Sequence, residues 1–386
     1  MKRIFVCFLI AVLMLGMVAC TETGSTDTST NDVSASVSDS DTASTNTNTD
    51  TDTESQTTSS EEEKFTGYDE NLEHKFIVTD ITNHSIVVYD LNKCNGDYQL
   101  LKDDKVAIIW EWDADDDPKC KIKPNAGIDA AKYRYSEYYK RDVIIACSSN
   151  GWAGVIDYEA KSLLWEYNIG KGPHSVEMLP NGDLIVACSS DPGALVYVPL
   201  SAGITYPVSW IPSLYCHGVS WDPVNEWLWV LEDNGVYAAT VMNPGKDGKI
   251  TRLGGTGALF GTGIAGGHAF SPVGGEPGKY WASSGSFLFQ FDAETETMSR
   301  SYPRFAKLTK SGIKGIASFA DGTVIQTVAG IGGKDTYGWS SDGFRIVTVE
   351  MSEGRVKQLV TKETKVIFPA SHREFYKVQP FTKSYQ

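Results

Sequence analysis

Residues His174–Ser190 read HSVEMLPNGDLIVACSS: a short apolar run, a Pro-Asn-Gly-Asp turn, and a second, more apolar run. The plan returns in HGVSWDPVNEWLWVLED from His217, HAFSPVGGEPGKYWASSG from His268 and KGIASFADGTVIQTVAG from Lys314, with starts 43, 51 and 46 residues apart. Apolar runs this short, with turn residues roughly every 8–12 positions, read as strands. No long window from His74 onward carries a helical period. In most copies a third run and a fourth follow across an acidic turn, as in GVIDYEAKSLLWEYN (154–168), FLFQFDAETETMSRSY (287–302) and IVTVEMSEGRVKQLV (346–360).

Four strands in about 40–50 residues, repeated, predict an all-β fold: a β-propeller whose blades bury both faces against neighbours. GIDAAKYRYSEYYKRDVIIACSS (127–149) supplies the first two strands of an earlier copy. KFIVTDITNHSIVVYDLNK (75–93) and KVAIIWEWD (105–113) supply three strands without an innermost one, while SHREFYKVQPF (371–381) supplies a strand without a blade. Joining the two ends in one composite blade leaves no exposed edge. The expectation is six four-stranded blades over 73–386; a seventh needs roughly 40 more residues, unless 91–125 hides one.

Outward from the repeats, the charge is uneven. The chain has 49 acidic and 34 basic residues for a formal net charge of −15, yet thirteen acids and a single base, Lys64, fall in 21–72. Residues 73–386 are left with −5. Neither part has the basic surface that nucleic acid or a polybasic membrane patch requires, so no nucleic acid partner is expected. Residues 21–72 are rich in Thr, Ser and Asp, and up to Glu63 they hold two Val and no aromatic residue. Such a segment buries too little apolar surface to fold, and is expected to be a disordered tether. Before it, MKRIFVCFLIAVLMLGMVAC (1–20) places two bases ahead of an apolar stretch too short for a comfortable span, as in a secretory signal peptide.

Export permits disulfides. Five cysteines follow Cys20, and Cys147 and Cys188 occupy matching places in VIIACSS and LIVACSS, as small buried residues of repeated strands. Cys94 and Cys120 flank a polar insertion and are the best disulfide candidates, and no CxxC pair marks a thiolate zinc site. Acids in WEWDADDDPKC (110–120) are spaced like part of a calcium loop without its Gly and distant Glu, so a solvated turn is favoured. GTGALFGTGIAGG (255–267) follows no strand–helix context and is expected along the channel rim ahead of His268. Trp152, Trp210, Trp221 and Trp339 are read as mostly structural, and no GxSxG, HExxH or Walker-type loop occurs.

Four of six histidines, His174, His217, His268 and His372, sit at repeat-equivalent places, and the other two blades offer Lys132 with Arg134, and Lys314. Because the first strand of each blade lines the central channel, these residues are expected to ring its mouth. There, burial is costly unless something anionic or metallic compensates. Hydrogen bonding between blades is the competing structural explanation. His74 and His84 lie outside this register.

Over 73–386 the chain resembles the broad bacterial class of six-bladed propellers of the quinoprotein-like and WD-like kind. Its PHS…LPNGD, HGVSWDP and GGHAFSP runs resemble a family of secreted bacterial propellers of unknown function. Neither the Trp-rich docking signature of quinoproteins nor a GH…WD pair is present, so no quinone is implied. Met17-Val18-Ala19-Cys20 resembles a bacterial lipobox, which implies an exported lipoprotein with Cys20 acylated by chains such as palmitate. The anchor would be its only membrane contact. The expected role of the chain, as a monomer, is binding of a carbohydrate or small anionic ligand at the channel mouth through His174, His217, His268, His372, Lys132, Arg134 and Lys314, with no cofactor. The alternative is an enzyme. Oligogalacturonate lyases hold a metal with central histidines, which implies a divalent transition metal on the four histidines here. Six-bladed arylsulfotransferases use central His and Arg, and PHSVEMLPNGD resembles their repeats. Either would ask His217 or His174 to act as base, with Lys314 or Arg134 stabilising negative charge. A scaffold for protein partners is the third reading.

Overall fold

The most apolar runs of each repeat are its second and third, and in the computed structural model they are buried on both faces. Leu184–Cys188 and Ala194–Val198 are buried throughout, whereas the outer strand Ser209–Pro212 is partly exposed at every position. The structure describes residues 74–385, apart from Asp191, 256–258, 301–307, 333–338, 353–354, 370–371 and the side chains of 349–361. The chain divides into two units, Met1–Ser60 and Glu61–Gln386, and all described residues belong to the second. The signal, lipidation and tether readings, Cys20 included, fall on residues outside the described ones.

Six antiparallel sheets form the ring of a β-propeller. Blade 1 is the composite: Phe375–Pro380 is innermost, followed outward by Lys75–Asp80, Ser85–Asp90 and Ile108–Asp113. The innermost strands of blades 2 to 6 are Ala130–Ser136, Pro173–Met178, Gly218–Asp222, Phe270–Pro272 and Ile313–Ser318. Each lies beside the next, and the last lies beside Phe375–Pro380, closing the circle. Chain closure therefore pairs Ile77 with Gln379 and Val78 with Val378.

Six apolar clusters correspond to the six blade interfaces. Between blades 1 and 2, Trp112 stacks on Trp152 with centroids 6.1 Å apart; between blades 6 and 1, Phe344 stacks on Phe375 at 4.5 Å. The repeated turn is held by its aspartate. Asp183 accepts from Tyr197 Oη at 2.6 Å, and Asp222 from Trp229 Nε1 at 2.8 Å. Gly182 in the Asn-Gly-Asp turn has φ +93°, and a Cβ there would come within 2.7 Å of Tyr138 Cβ, so glycine is required twice over.

The expected disulfide needs correction, whereas the absence of a seventh blade and the turn at 110–120 are as expected. Cys94 and Cys120 are free thiols, because Cys94 packs into the interface of blades 6 and 1 and Cys120 into that of blades 1 and 2. Burial pushes their thiols up, to about 11 and about 12. Residues 91–125 form short helical turns, the outer strand of blade 1 and loops, and no seventh blade. In the glycine-rich segment, Gly261–Thr262 pairs with Gly235 and Val236 as a short fifth strand of blade 4. The aspartates of 113–117 close a turn: Asp117 accepts from Trp112 Nε1 at 3.0 Å and from the Leu163 and Lys119 amides.

Candidate functional site

At one end of the channel, each innermost strand begins with a polar side chain. His217 N donates to Leu231 O at 3.1 Å, and Asp129 N donates to Cys147 O at 2.8 Å, which makes Asp129 the counterpart of His217 in blade 2. Blades 3, 4, 5 and 6 present His174, His217, His268 and Lys314. At His174 and Lys314 the strand register shifts, so each side chain occupies an extra position at the strand entrance. Blade 1 contributes Lys377, brought in by a similar irregularity where Phe375–Pro380 pairs with Lys75–Asp80.

These side chains touch in sequence around the ring. His174 Nε2 lies 3.6 Å from Asp129 Oδ1. The rings of His174 and His217 meet edge to face at 4.6 Å, and those of His217 and His268 at 5.0 Å. Lys314 Nζ donates to His268 Nε2 at 3.3 Å. Beneath them Lys377, 3% exposed, donates to the carbonyls of His174 at 2.6 Å and His217 at 2.5 Å, bolting blade 1 across to blades 3 and 4.

Burial and neighbouring ammonium groups set the charge state. His174 is pushed down to about 4, first by burial and then by Lys377; His268 falls to about 3 through burial, Lys314 and Lys377. His217 lies well below its ordinary value because it is buried between the other two imidazoles and Lys377. All three are neutral at pH 7. Burial raises Asp129 to about 7, despite the Ser149 amide and Lys377, and lowers Lys377 to about 8. Nδ1 of His217 is 2.7 Å from Tyr215 O and Nδ1 of His174 is 3.0 Å from Gly172 O, contacts that fix the ring orientations. Buried His268 Nδ1 has no hydrogen-bond partner among the described residues.

Three expected site residues lie elsewhere. His372 precedes the closing strand, stacks on Phe368 at 6.0 Å and faces Asp104 at 3.3 Å. Its place in the ring is taken by Lys377, five residues later. Lys132 and Arg134 line the channel further along and are consumed by Glu177, which is fully buried. Arg134 Nε and Nη2 grip its two oxygens at 2.8 and 2.9 Å, and Lys132 Nζ binds it at 2.9 Å. The chain after the closing strand covers that far end: Arg134 donates to Thr382 O at 3.1 Å and lies 4.9 Å from the Tyr385 ring. His74 and His84 pair with Asp321 and Asp115 outside the channel register. Among the described residues no group of three or more His, Cys, Asp or Glu side chains is placed to hold a metal ion.

Comparison with known proteins adds the family. The chain is similar to a dihydro-heme d1 dehydrogenase, NirN, in complex with DHE, at 16% identity over 79% of this chain and 57% of that one, with a TM-score of 0.42. It thus spans 57% of that protein's length. It is also similar to a functionally unknown protein from Desulfotomaculum acetoxidans (11% identity, 77% and 83% coverage, TM-score 0.45). A third likeness is to the Cps50 (Swd1) β-propeller domain from Myceliophteria thermophila (12% identity, 62% and 69% coverage, TM-score 0.38). No curated protein matches the chain. Residues 53–329, most of the chain, match a family of unknown function, DUF6528, and the protein belongs to that family.

Proposed function

We propose that the propeller binds the anionic group of a small acidic ligand, such as a uronate, at the channel mouth formed by His174, His217, His268, Lys314 and Lys377. The observation that carries this reading is the convergence of neutral imidazoles with ammonium groups at one end of the channel. His174, His217 and His268 touch in sequence, Lys314 donates to His268, Lys377 lies beneath, and the charge of Asp129 beside His174 is suppressed by burial. A carboxylate or sulfate placed there gains charge-assisted hydrogen bonds and draws protons onto the imidazoles, a coupling that a merely structural cluster lacks. Calorimetric titration with galacturonate, glucuronate and sulfate tests it. The expected result is saturable binding with proton uptake, weakened at least tenfold in Lys314→Gln; absence of binding by every probe contradicts it.

The same neutral imidazoles supply a second reading as a base for proton abstraction next to a carboxylate, with Lys314 holding the developing charge. Arg134 is tied to Glu177 and has no part in it. Release of an unsaturated uronate from an acidic polysaccharide, lost in His217→Gln, distinguishes catalysis from binding.

For residues 1–72 the proposal is export and lipid anchoring at Cys20, supported by the apolar stretch before it and the acidic Thr/Ser tract after it. Incorporation of a labelled palmitate analogue, abolished in Cys20→Ser, is the expected result. Unlabelled wild-type protein refutes it.

A further inference from the structure

An exposed aromatic segment of blade 3 leads into His217. Among the described residues, four of the nine exposed large hydrophobics fall in 206–215: Tyr206, Trp210, Leu214 and Tyr215, each about half exposed. Trp210 lies on the outer strand of blade 3, Ser209–Pro212, Leu214 and Tyr215 in the connection from it to His217, and Tyr206 ahead of the strand. A half-exposed Trp and Tyr five residues apart leave apolar area in water that folding has not removed.

Two contacts tie this surface to the mouth. Tyr215, at φ +44°, turns its carbonyl to His217 Nδ1 at 2.7 Å. Lys171 lies over the Trp210 ring at 4.9 Å, and the next residue, Gly172, offers its carbonyl to His174 Nδ1 at 3.0 Å. The loops that carry Trp210's cation and Tyr215 are therefore the loops that orient two of the three imidazoles. Trp and Tyr present flat π faces with a polar edge, which suit the C–H face and hydroxyl rim of a pyranose. The cations here, Lys171 and then Lys314, suit carboxylates spaced along a polymer.

We propose that blade 3 extends the anion site into a binding surface for a linear uronate-containing polysaccharide, one carboxylate seated in the mouth and neighbouring sugars stacked on Trp210 and Tyr215. This rests on the mouth reading above. A protein strand is the less suitable occupant, because Pro207 and Pro212 bound the four-residue edge strand and blunt strand addition.

The test compares galacturonate, glucuronate and mannuronate with their linear hexamers, titrated calorimetrically into the purified protein and its Trp210→Ala, Tyr215→Ala and Lys314→Gln variants. At least one hexamer is expected to bind ten or more times tighter than its monomer, with quenching of tryptophan fluorescence. Trp210→Ala abolishes that gain and leaves monomer binding unchanged, whereas Lys314→Gln weakens both. Monomers that bind with no hexamer advantage, or a Trp210→Ala variant that keeps the advantage, overturn the extended surface and leave the mouth standing. If no uronate of either length binds, both fall. Unchanged melting temperatures separate loss of contact from loss of fold.

Discussion

The two ends of one channel use the same residue types for opposite purposes. At the far end Lys132 and Arg134 surround Glu177, whose carboxylate is held below its ordinary range by both cations, and the chain's last residues cover the group. At the mouth Lys314 and Lys377 stand among imidazoles that burial keeps neutral, with one weakly ionised carboxyl. A basic channel lining is therefore not in itself a ligand site. What separates the two ends is the group the cations meet: at the far end a buried, ionised Glu177, at the mouth neutral imidazoles and the weakly ionised Asp129. The proposal is that the mouth receives an acidic ligand.

Breaking the complete end has the largest expected effect. Glu177→Ala leaves two buried cations without a partner, and unfolding by denaturant should show a loss of about 3–5 kcal/mol. Lys377→Met comes next, since it orphans the carbonyls of His174 and His217 that link blade 1 to blades 3 and 4. A loss of about 1–3 kcal/mol is expected, with weakened anion binding.

Acid should sharpen the contrast more gently. His174 titrates at about 4 and His268 at about 3 in the folded chain, against 6.5 when unfolded, so between those values the unfolded chain holds the extra protons. Their contribution to stability is whole above pH 6.5 and is lost as pH falls through the folded values. Asp129, raised from 3.8 to about 7, opposes this by favouring the folded chain as pH falls, but it is one carboxyl against three depressed imidazoles. The melting temperature should therefore drop from pH 6.5 to 4, and drop less in His174→Gln. A curve unchanged by that substitution would show that His174 is not held neutral. Lys314→Gln should be the variant that most weakens anion binding, read by the same calorimetric titration.

The ring was legible because the repeat is carried by turn residues and apolar runs, and the closing strand because three strands at one end and one at the other had no other partners. Asp129 was also within reach. Each ring residue of blades 2 to 6 precedes a small one: Asp129-Ala130, His174-Ser175, His217-Gly218, His268-Ala269 and Lys314-Gly315. That pattern points to Asp129, where basic residue type pointed to Lys132. Lys377 was harder to see, since Val378 breaks the pattern and a shift of register decides which residue of 372–377 enters the channel. His372 resembles the others in type alone. Glu177 is visible in PHSVEM, but its pairing to Lys132 and Arg134 crosses between blades, and no local spacing encodes such a contact. The exposure of Trp210, unlike that of buried Trp152, likewise depends on what lies outside its blade.

The anion-binding reading of the mouth is tested most directly by following the imidazole resonances of His174, His217 and His268 through a pH titration with and without galacturonate. Without ligand the three should stay neutral to well below pH 6.5, with His174 near 4. With ligand their midpoints should move upward together. Midpoints near 6.5 without ligand, or midpoints that galacturonate leaves unchanged, would contradict a mouth built to receive an anion.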